Sequence, residues 1–303
     1  MKIFITGGTG FIGSALSRAL AGKGHELRVL TRSAPRGAPP SVTWIQGDST
    51  QGGAWQEQVS ACEVVFNFAG APIFHRWTPR YKELIRSSRV QTTERIVEAM
   101  ASSSAGAPRR LISASAVGFY GGSGDDPSPE DSAQGSDFLA RVCGEWEAAA
   151  LSARAKGIRV ILPRFGVVLG RSGGAFRTLR PVFQMGLGGS IGNGRQWFPW
   201  IHLDDAVSAL GVLMESPEAD GPVNLCAPEP VTNREFTRAL GRAMRRPALL
   251  PAPSLLVRMI LGEFGSSLLE GRRVIPRRLM ELGFAFQYPA LESALRNLVA
   301  PPV

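Results

Sequence analysis

Apolar residues in the first half of the chain occur either as short continuous runs or at a helical period. The run KIFIT at 2–6 is followed, after several glycines, by a segment in which Ile12, Leu16 and Leu20 recur at helical spacing before Gly22. A short apolar run indicates a buried strand, and i, i+4 spacing indicates an amphipathic helix. The opening of the chain therefore predicts a strand, a turn and a helix.

The same alternation continues as far as residue 163. Further strands are predicted at 26–30, 42–46, 64–69, 110–115 and 159–163, and helices at about 79–101 and 137–156. Alternating strands and helices build a parallel sheet with helices on both faces, joined by right-handed connections. We therefore predict an α/β fold with a Rossmann-like, doubly wound parallel sheet.

Beyond residue 165 the pattern changes to glycine-rich loops, such as GRSGGAF and GLGGSIGNGRQWFPW, and to short pieces separated by proline. We predict that 1–165 form a dinucleotide-binding core and that 166–303 form mainly a smaller C-terminal α/β substrate lobe, with a segment around 195–225 returning to the core. Open parallel sheets bind ligands at the carboxyl ends of their strands, so the lobe should cover that edge.

Composition narrows the classes of function. A chain of 303 residues with 44% hydrophobic content can bury a substantial core. The formal charge of +9 is spread without a long Lys/Arg block, so we expect no nucleic-acid partner. The 3 cysteines are too dispersed for a disulfide framework or a metal pair, which indicates a reducing cytoplasm and no metal site. We find no signal peptide and no apolar segment approaching the roughly 20 residues of a bilayer span, so we expect no membrane partner.

The most specific motif is the first turn. GGTGFIG places Gly7, Gly10 and Gly13 between the first predicted strand and its helix. The early glycines permit a tight turn and a close approach to a pyrophosphate, and the last permits close packing of the helix on the sheet. The helix N-terminus offers free N–H groups to the anion. The motif therefore predicts dinucleotide binding.

The end of the second predicted strand selects the cofactor. Chains that prefer NAD usually carry Asp or Glu there, whereas Arg accommodates the 2′-phosphate of NADP. This chain has Thr31, Arg32 and Ser33, with no acid. We therefore predict NADP(H) as the cofactor. Asp48, after the third strand, would either meet the adenine or cap a helix.

Several stretches resemble a known family. ITGGTGFIGSAL, FNFAGAP and LISASAVGFYG are similar to the extended or atypical short-chain dehydrogenase/reductase superfamily. RSSRVQTTERIVEAM, DFLARVCGEWE, WFPWIHLDDAV and LGEFGSSLLEGRRVIPRRLMELGFAFQYPAL resemble its SDR39U-type epimerase group, which carries a C-terminal domain of unknown function. The resemblance runs from residue 1 to about residue 298. It implies a Rossmann core with NADP(H) and no particular substrate.

The resemblance also implies roles for individual residues. Arg32 would contact the 2′-phosphate, and Ala69 and Gly70 would lie beside the cofactor ribose. The pyrophosphate would be contacted by residues of the first turn, namely Gly7, Gly10, Phe11, Ile12 and Gly13. Ser115 matches the serine that orients a substrate hydroxyl. Its position at the end of a predicted strand supports the same role.

The superfamily's usual proton donor is absent. That donor is a Tyr whose pKa is lowered by a Lys one helical turn later, so that both side chains face one site. Here the residues four positions after Tyr81, Tyr120 and Tyr288 are Ile, Gly and Glu, so no Tyr-xxx-Lys pair exists. Alignment of the helix places Leu139 and Cys143 at the two positions. A buried core cysteine is the favoured interpretation of Cys143.

Two other residues are candidates for the missing donor. Tyr120 lies five residues beyond Ser115 and would act either as the acid or as an aromatic lid. His75, in PIFHRW, could exchange protons with a substrate, but a histidine on a loop is more often a solvated or structural side chain.

The second lobe contains candidates for an anionic substrate. An Arg near aromatic residues suits such a ligand, which points to Arg164, Arg195 and Trp197, with a structural role as the alternative. Asp204 and Asp205 are expected to cap a helix.

Two functions remain open from the sequence. The first is an NADP(H)-binding oxidoreductase or epimerase-like enzyme acting on a small polar hydroxyl or carbonyl compound, with Ser115 orienting the oxygen and Tyr120, His75 or water supplying the proton. The second is a non-catalytic NADPH-binding sensor or regulatory protein, which the missing pair favours. In either case we expect a cytoplasmic monomer or homodimer with a small-molecule ligand.

Overall fold

Strands and helices alternate along the computed structural model, which describes residues 1–33, 41–102 and 110–300. The strands are β1 (Lys2–Thr6), β2 (Glu26–Thr31), β3 (Val42–Gln46), β4 (Val64–Asn67), β5 (Arg110–Ser113), β6 (Ser115–Ala116), β7 (Gly124–Ser128), β8 (Arg159–Phe165), β9 (Val167–Gly170), β10 (Trp200–His202), β11 (Gly221–Leu225) and β12 (Arg272–Val274). The helices are α1 (Phe11–Gly22), α2 (Trp55–Val59), α3 (Pro79–Ala101), α4 (Phe138–Leu151), α5 (Gly174–Gln184), α6 (Leu203–Glu215), α7 (Asn233–Met244), α8 (Ser254–Leu261), α9 (Glu263–Ser267), α10 (Arg277–Glu281) and α11 (Leu291–Val299).

The central sheet has the strand order β11-β8-β5-β4-β1-β2-β3, and all its pairings are parallel. The short strand β6 also pairs with β8, which sets Ser115 opposite Arg164. The strand order reverses between β1 and β4, where doubly wound sheets bind their ligands. The predicted Rossmann-like parallel sheet is confirmed.

Three elements end earlier than predicted. The strand predicted at 110–115 ends at Ser113 and is followed by the separate strand β6. The strand predicted at 64–69 stops at Asn67. The helix predicted at 137–156 is α-helical only to Leu151 and continues as a 3-10 helix over Ser152–Lys156. Gly157, with φ of 72°, ends this segment because its left-handed backbone cannot continue a helix.

Helices cover both faces of the sheet with apolar side chains. Ile3 and Ile5 of β1 belong to the core on the side of α1 and α6, whereas Phe4 belongs to the core on the side of α3 and α4. This alternation follows from the two-residue period of a strand. Parallel strands buried on both faces read as continuous apolar runs, which is why the sequence revealed them.

A separate apolar cluster forms among the elements that follow β8. It includes Phe176 and Phe183 of α5, Trp200 of β10, Phe236 of α7 and Leu295 of α11. Between these elements the chain returns to the central sheet in β11, beside β8. Residues 301–303 of the predicted lobe lie outside the described part.

The start of α6 connects the lobe to the core. His202 is its N-cap, because the ring Nδ1 accepts a hydrogen bond from the N–H of Asp204 at 3.1 Å. Asp205 is buried and instead accepts the N–H groups of Gln287 and Tyr288 at 2.7 and 3.0 Å. The prediction that Asp204 and Asp205 cap this helix is therefore wrong.

Within the described part of the chain, we find no helix that is both long and apolar enough to cross a bilayer.

Candidate active site

The turn between β1 and α1 lies against the end of β4, at the reversal of strand order. Gly7 has a φ of +67°, and a Cβ on it would lie 2.6 Å from the carbonyl carbon of Phe68. A Cβ on Gly13 would lie 2.3 Å from the carbonyl oxygen of Gly7. Only glycine fits at these two positions, because the neighbouring backbone is closer than any side chain permits.

The N-terminus of α1 is open to an anion. Its N-cap is Gly10, which provides no side-chain cap, and the first turn contains no acidic residue. The N–H of Gly10 donates to Gly7 at 2.9 Å and closes the turn. The first amides of α1 and the positive end of the helix dipole can therefore bind a pyrophosphate.

Phe11 and Ile12 pack beside this turn. Cβ atoms on Gly170 and Gly173 would lie 2.7 and 2.4 Å from atoms of the Phe11 ring, so the GRSGG loop needs its glycines to close over that ring. Ile12 packs against the core on the α1 side of the sheet. Direct contact of either residue with a pyrophosphate stays a prediction.

The ends of β2 and β3 form the next part of the site. The hydroxyl of Thr31 donates to the carbonyl of Ser33 at 2.9 Å, and Arg32 is exposed. Asp48 accepts the N–H and the hydroxyl of Thr50 at 2.9 and 2.8 Å. These bonds, with a smaller contribution from the charge of Arg32, lower the pKa of Asp48. Asp48 thus caps its own turn, while Arg32 presents its guanidinium to solvent.

A buried polar cluster at the end of β4 was missed by sequence reasoning. Asn67 accepts a hydrogen bond from Thr6 at 2.8 Å and donates to Thr93 at 2.8 Å and to Ser113 at 3.1 Å. The cluster joins β1, β4, β5 and α3 just before the half-buried Ala69. An asparagine within the apolar run VVFN was the available signal.

Ser115 is buried, and its hydroxyl donates to Glu147 at 2.6 Å. Glu147 also forms a bidentate ion pair with Arg164, with both N–O distances at 2.8 Å. Because the Ser115 proton is directed at a carboxylate, the remaining capacity of its oxygen is to accept a hydrogen bond. Sequence reasoning missed the role of Glu147, although a glutamate on the buried face of a helix was the signal.

Tyr120 does not face the crevice. It is 1% exposed, and its hydroxyl donates to Asn224 at 2.7 Å and accepts from Arg164 at 3.0 Å. Burial raises the pKa of Tyr120 to about 12. Arg164 is equally buried, with its guanidinium 3.5 Å from the Phe119 ring centroid. The structure therefore argues against Tyr120 as the proton donor and against Arg164 as a substrate contact, since both belong to an internal network.

The two α4 positions that align with the usual pair carry no acid–base chemistry. Cys143 is buried, and desolvation, followed by the charge of Glu147, raises its pKa to about 12. Leu139 is half-buried, and its side chain would contact a Cβ on Gly118 at 3.4 Å. These two positions of α4 are therefore apolar and uncharged.

Arg89 of α3 brings a cation to the same region, which sequence reasoning also missed. Its guanidinium donates to the carbonyl of Ala71 at 3.0 Å and lies 5.3 Å from the Trp146 ring centroid. A Cβ on Gly70 would lie 3.1 Å from its Cζ. Burial lowers the pKa of Arg89, and its charge acts on Cys143. Among the described residues, no carboxylate forms an ion pair with it.

His75 lies on the exposed loop that follows β4. Its ring stacks on Tyr81 with 4.2 Å between centroids, and Nδ1 is 3.1 Å from the carbonyl of Arg76. The ring is thus oriented by its neighbours but remains open to water.

Trp197 and Arg195 lie in the lobe, outside the Ser115 network. The indole N–H of Trp197 donates to Asp125 at 2.9 Å, and Arg273 lies 5.4 Å from its ring centroid. Arg195 is exposed, and its backbone N–H is bonded to Asn193. A substrate role for both residues stays a prediction. The described ranges contain no group of three or more potential metal ligands.

A parallel sheet of this order, a glycine turn at its reversal and an open helix N-terminus define a dinucleotide-binding protein with a Rossmann fold. Residues 3–226 match the NAD dependent epimerase/dehydratase family, and residues 252–298 match a domain of unknown function, DUF1731. The chain therefore belongs to the NAD dependent epimerase/dehydratase family.

Similar proteins cover the whole chain. The epimerase family protein SDR39U1 homolog, chloroplastic, of Arabidopsis thaliana is 41% identical over 302 residues, which are 99% of this chain and 87% of that protein. The epimerase family protein SDR39U1 of Mus musculus is 38% identical, over 99% of this chain and 100% of that protein. The crystal structure of human epimerase family protein SDR39U1 (isoform 2) with NADPH has a TM-score of 0.86 and 33% identity, covering 99% of each chain. The resemblance to this group is confirmed.

Proposed function

We propose that this protein binds NADP(H) at the turn after β1. The close backbone approaches at Gly7 and Gly13 and the uncapped start of α1 leave a cradle for the pyrophosphate. The exposed Arg32, with no acid at the end of β2, carries the preference for the phosphorylated cofactor, because a guanidinium attracts the 2′-phosphate. The NADPH complex of the human relative supports the same cofactor.

We further propose an oxidoreductase or epimerase-like activity on a small polar hydroxyl or carbonyl compound. The nicotinamide supplies hydride transfer when it is bound. Ser115 orients the substrate by accepting a hydrogen bond from its hydroxyl, because its own proton is donated to Glu147. Arg89 holds a positive charge behind the Gly70 loop, where the usual lysine is missing.

Proton exchange then depends on water and on the exposed His75, and not on a phenol. Burial raises the pKa of both Tyr120 and Cys143 to about 12, which makes each a weak proton donor near neutral pH. His75 lies on a loop open to solvent and is suited to relay protons between bulk water and the crevice.

A second candidate is an NADPH-binding protein without turnover. This candidate is favoured by the hydrogen bonds that Glu147 accepts from Ser115 and Arg164, because they give all three side chains a partner within the protein. Such a network also serves a purely structural purpose.

Calorimetry of Arg32→Asp tests the cofactor assignment. Loss of the guanidinium should weaken NADPH binding by about tenfold or more, equivalent to about 1.4 kcal/mol, while NADH binding changes little. Arg18→Asp, which alters an exposed arginine on the outer side of α1, is the matched control and should leave both affinities unchanged. Equal weakening of NADPH and NADH by Arg32→Asp would contradict the assignment.

Turnover separates the two candidates. Purified protein with NADPH is mixed with aldehydes, ketones and sugar nucleotides, and the absorbance of the reduced nicotinamide is followed. We expect Ser115→Ala to lower kcat/KM by about tenfold or more at unchanged NADPH affinity. Thr237→Val removes a buried hydroxyl in α7 and controls for the loss of a buried hydrogen bond. NADPH binding without consumption of any compound would favour the second candidate.

A further inference from the structure

The outer side of α8 is apolar and exposed. Leu255, Met259 and Ile260 keep 68%, 65% and 68% of their surface accessible, and Leu256 is also exposed. These four positions form one side of the helix, because residues three and four apart are neighbours on its surface. The opposite side contains the buried Val257 and packs on α9.

Two further segments also expose apolar side chains. Leu249 and Leu250 are exposed in the loop before α8, and Met185 and Leu187 are exposed just after α5. The two segments are joined where the N–H of Leu250 donates to Gly188 at 3.2 Å. We call the surface formed by the apolar side chains of both segments and of α8 the α8 face, which comprises Met185, Leu187, Leu249, Leu250, Leu255, Leu256, Met259 and Ile260.

The high exposure of Leu255, Met259 and Ile260 shows that no described neighbouring segment covers this side of α8. Soluble proteins scatter single apolar residues on their surface, but extended apolar patches usually mark a docking site. Burial of such a face on a partner is favourable in proportion to the apolar area removed from water.

Arginines outnumber acidic residues in the parts of the sequence that contain the α8 face. All eight residues of the α8 face lie in the ranges 171–203 and 236–262, which include no Asp or Glu. The first range contains Arg171, Arg177, Arg180 and Arg195, and the second contains Arg238, Arg242, Arg245, Arg246 and Arg258. A cavity of about 350 Å³ is lined by four of these arginines and by Leu249. Arg242 pairs with Glu292 at 3.2 Å, but no described carboxylate forms an ion pair with Arg245, Arg246 or Arg258.

We propose that the α8 face docks the protein reversibly on an anionic lipid bilayer. Apolar side chains of the helix enter the headgroup region, and the flanking arginines bind lipid phosphates. This combination of an apolar stripe and basic flanks suits an anionic membrane surface. A second copy of the chain is a poorer occupant, because it would bring arginines against arginines.

The proposal departs from the sequence-based expectation of no membrane partner. That expectation considered spanning and targeting segments, and neither is needed for a helix that lies on the bilayer surface. Docking of this kind also differs from cofactor binding, since no residue of the α8 face belongs to the glycine turn.

Vesicle flotation of the full-length protein tests the proposal. We expect the protein to float with vesicles of equal parts phosphatidylcholine and phosphatidylglycerol, and not with phosphatidylcholine alone. Because lipid phosphates provide part of the attraction, raising the salt concentration should release it.

Two variants address the two components of the α8 face. Leu256→Gln with Ile260→Gln removes apolar contacts, and Arg245→Glu with Arg246→Glu reverses charge; each should lower the bound fraction by about tenfold. The matched controls, Met280→Gln and Arg18→Glu, change exposed residues outside the face and should float like the unaltered protein. Thermal melting and NADPH titration of every variant establish that the fold and the cofactor site are intact.

Three results would overturn the proposal. The first is no flotation of the unaltered protein with the anionic vesicles. The second is flotation that persists in both double variants. The third is a homodimer, seen by light scattering, that Leu256→Gln with Ile260→Gln dissociates, which would make the α8 face an interface between copies.

Discussion

Gly13 and Gly22 lie at opposite ends of α1, and the space around each residue is different. A Cβ on Gly13 would be 2.3 Å from the carbonyl oxygen of Gly7, whereas a Cβ on Gly22 would meet nothing within 4 Å. The candidate cofactor site therefore depends on glycine at position 13, because the turn can approach the helix only where the helix residue has no Cβ.

We expect Gly13→Ala to abolish NADPH binding. The added methyl group pushes the turn away from α1, and overpacking of this kind costs about 1–3 kcal/mol of stability. Gly22→Ala should bind NADPH normally and melt at the same or a slightly higher temperature, because alanine favours a helix. Calorimetry and thermal melting measure both effects. Normal NADPH affinity in Gly13→Ala would refute this account of the turn.

At the scale of elements, α4 is joined to the sheet by charged groups as well as by apolar packing. Glu147 accepts hydrogen bonds from Ser115 in β6 and from Arg164 in β8. The side chains of Arg164 and Glu147 keep only 4% and 6% of their surface exposed, respectively. Removal of one partner would leave a buried charge without compensation, which is far more costly than loss of an exposed pair.

Glu147→Ala should therefore lower the free energy of unfolding by about 3–5 kcal/mol. Glu145, two residues away in α4, pairs with Arg86 at the surface, so Glu145→Ala should change stability by less than about 1 kcal/mol. Urea denaturation followed by circular dichroism provides both values. Similar losses in the two variants would show that the internal network contributes little.

At the scale of the whole molecule, the buried acids make stability depend on pH. Burial raises the pKa of Cys143 from 9.0 to about 12 and that of Tyr120 from 10.0 to about 12. In the unfolded chain both groups ionise at their ordinary values. Their contribution to stability is therefore complete below pH 9 and is lost as the pH rises through 9.0–12, because the unfolded chain then releases protons that the folded protein retains.

We expect the denaturation midpoint to fall steadily across this alkaline range. Tyr120→Phe removes one of the groups whose pKa burial raises, so its midpoint should decline less steeply above pH 10, although its absolute stability is lower because Asn224 loses a hydrogen bond. Urea titrations at a series of alkaline pH values supply the measurement. Parallel curves for Tyr120→Phe and the unaltered protein would contradict the assignment of Tyr120.

Local pattern was sufficient to predict most elements of this fold. The helix α3 was predicted at its observed bounds, and the glycine turn, the Rossmann-like sheet and the lack of a Tyr-xxx-Lys pair were also apparent. These features depend on residues within about one helical turn or one strand of each other, where periodicity and backbone preference act directly.

Only the tertiary structure decided which polar residues meet. Tyr120 and Asn224 are 104 positions apart in the sequence, and Arg164 and Glu147 are 17 positions apart. No local pattern therefore predicts that these four residues form one buried network. The exposure of the α8 face could not be predicted either, since the sequence of an apolar helix is the same whether or not another segment covers it. Side-chain burial and pairing depend on the packing of distant segments, and that packing determines which candidate residues remain available for chemistry.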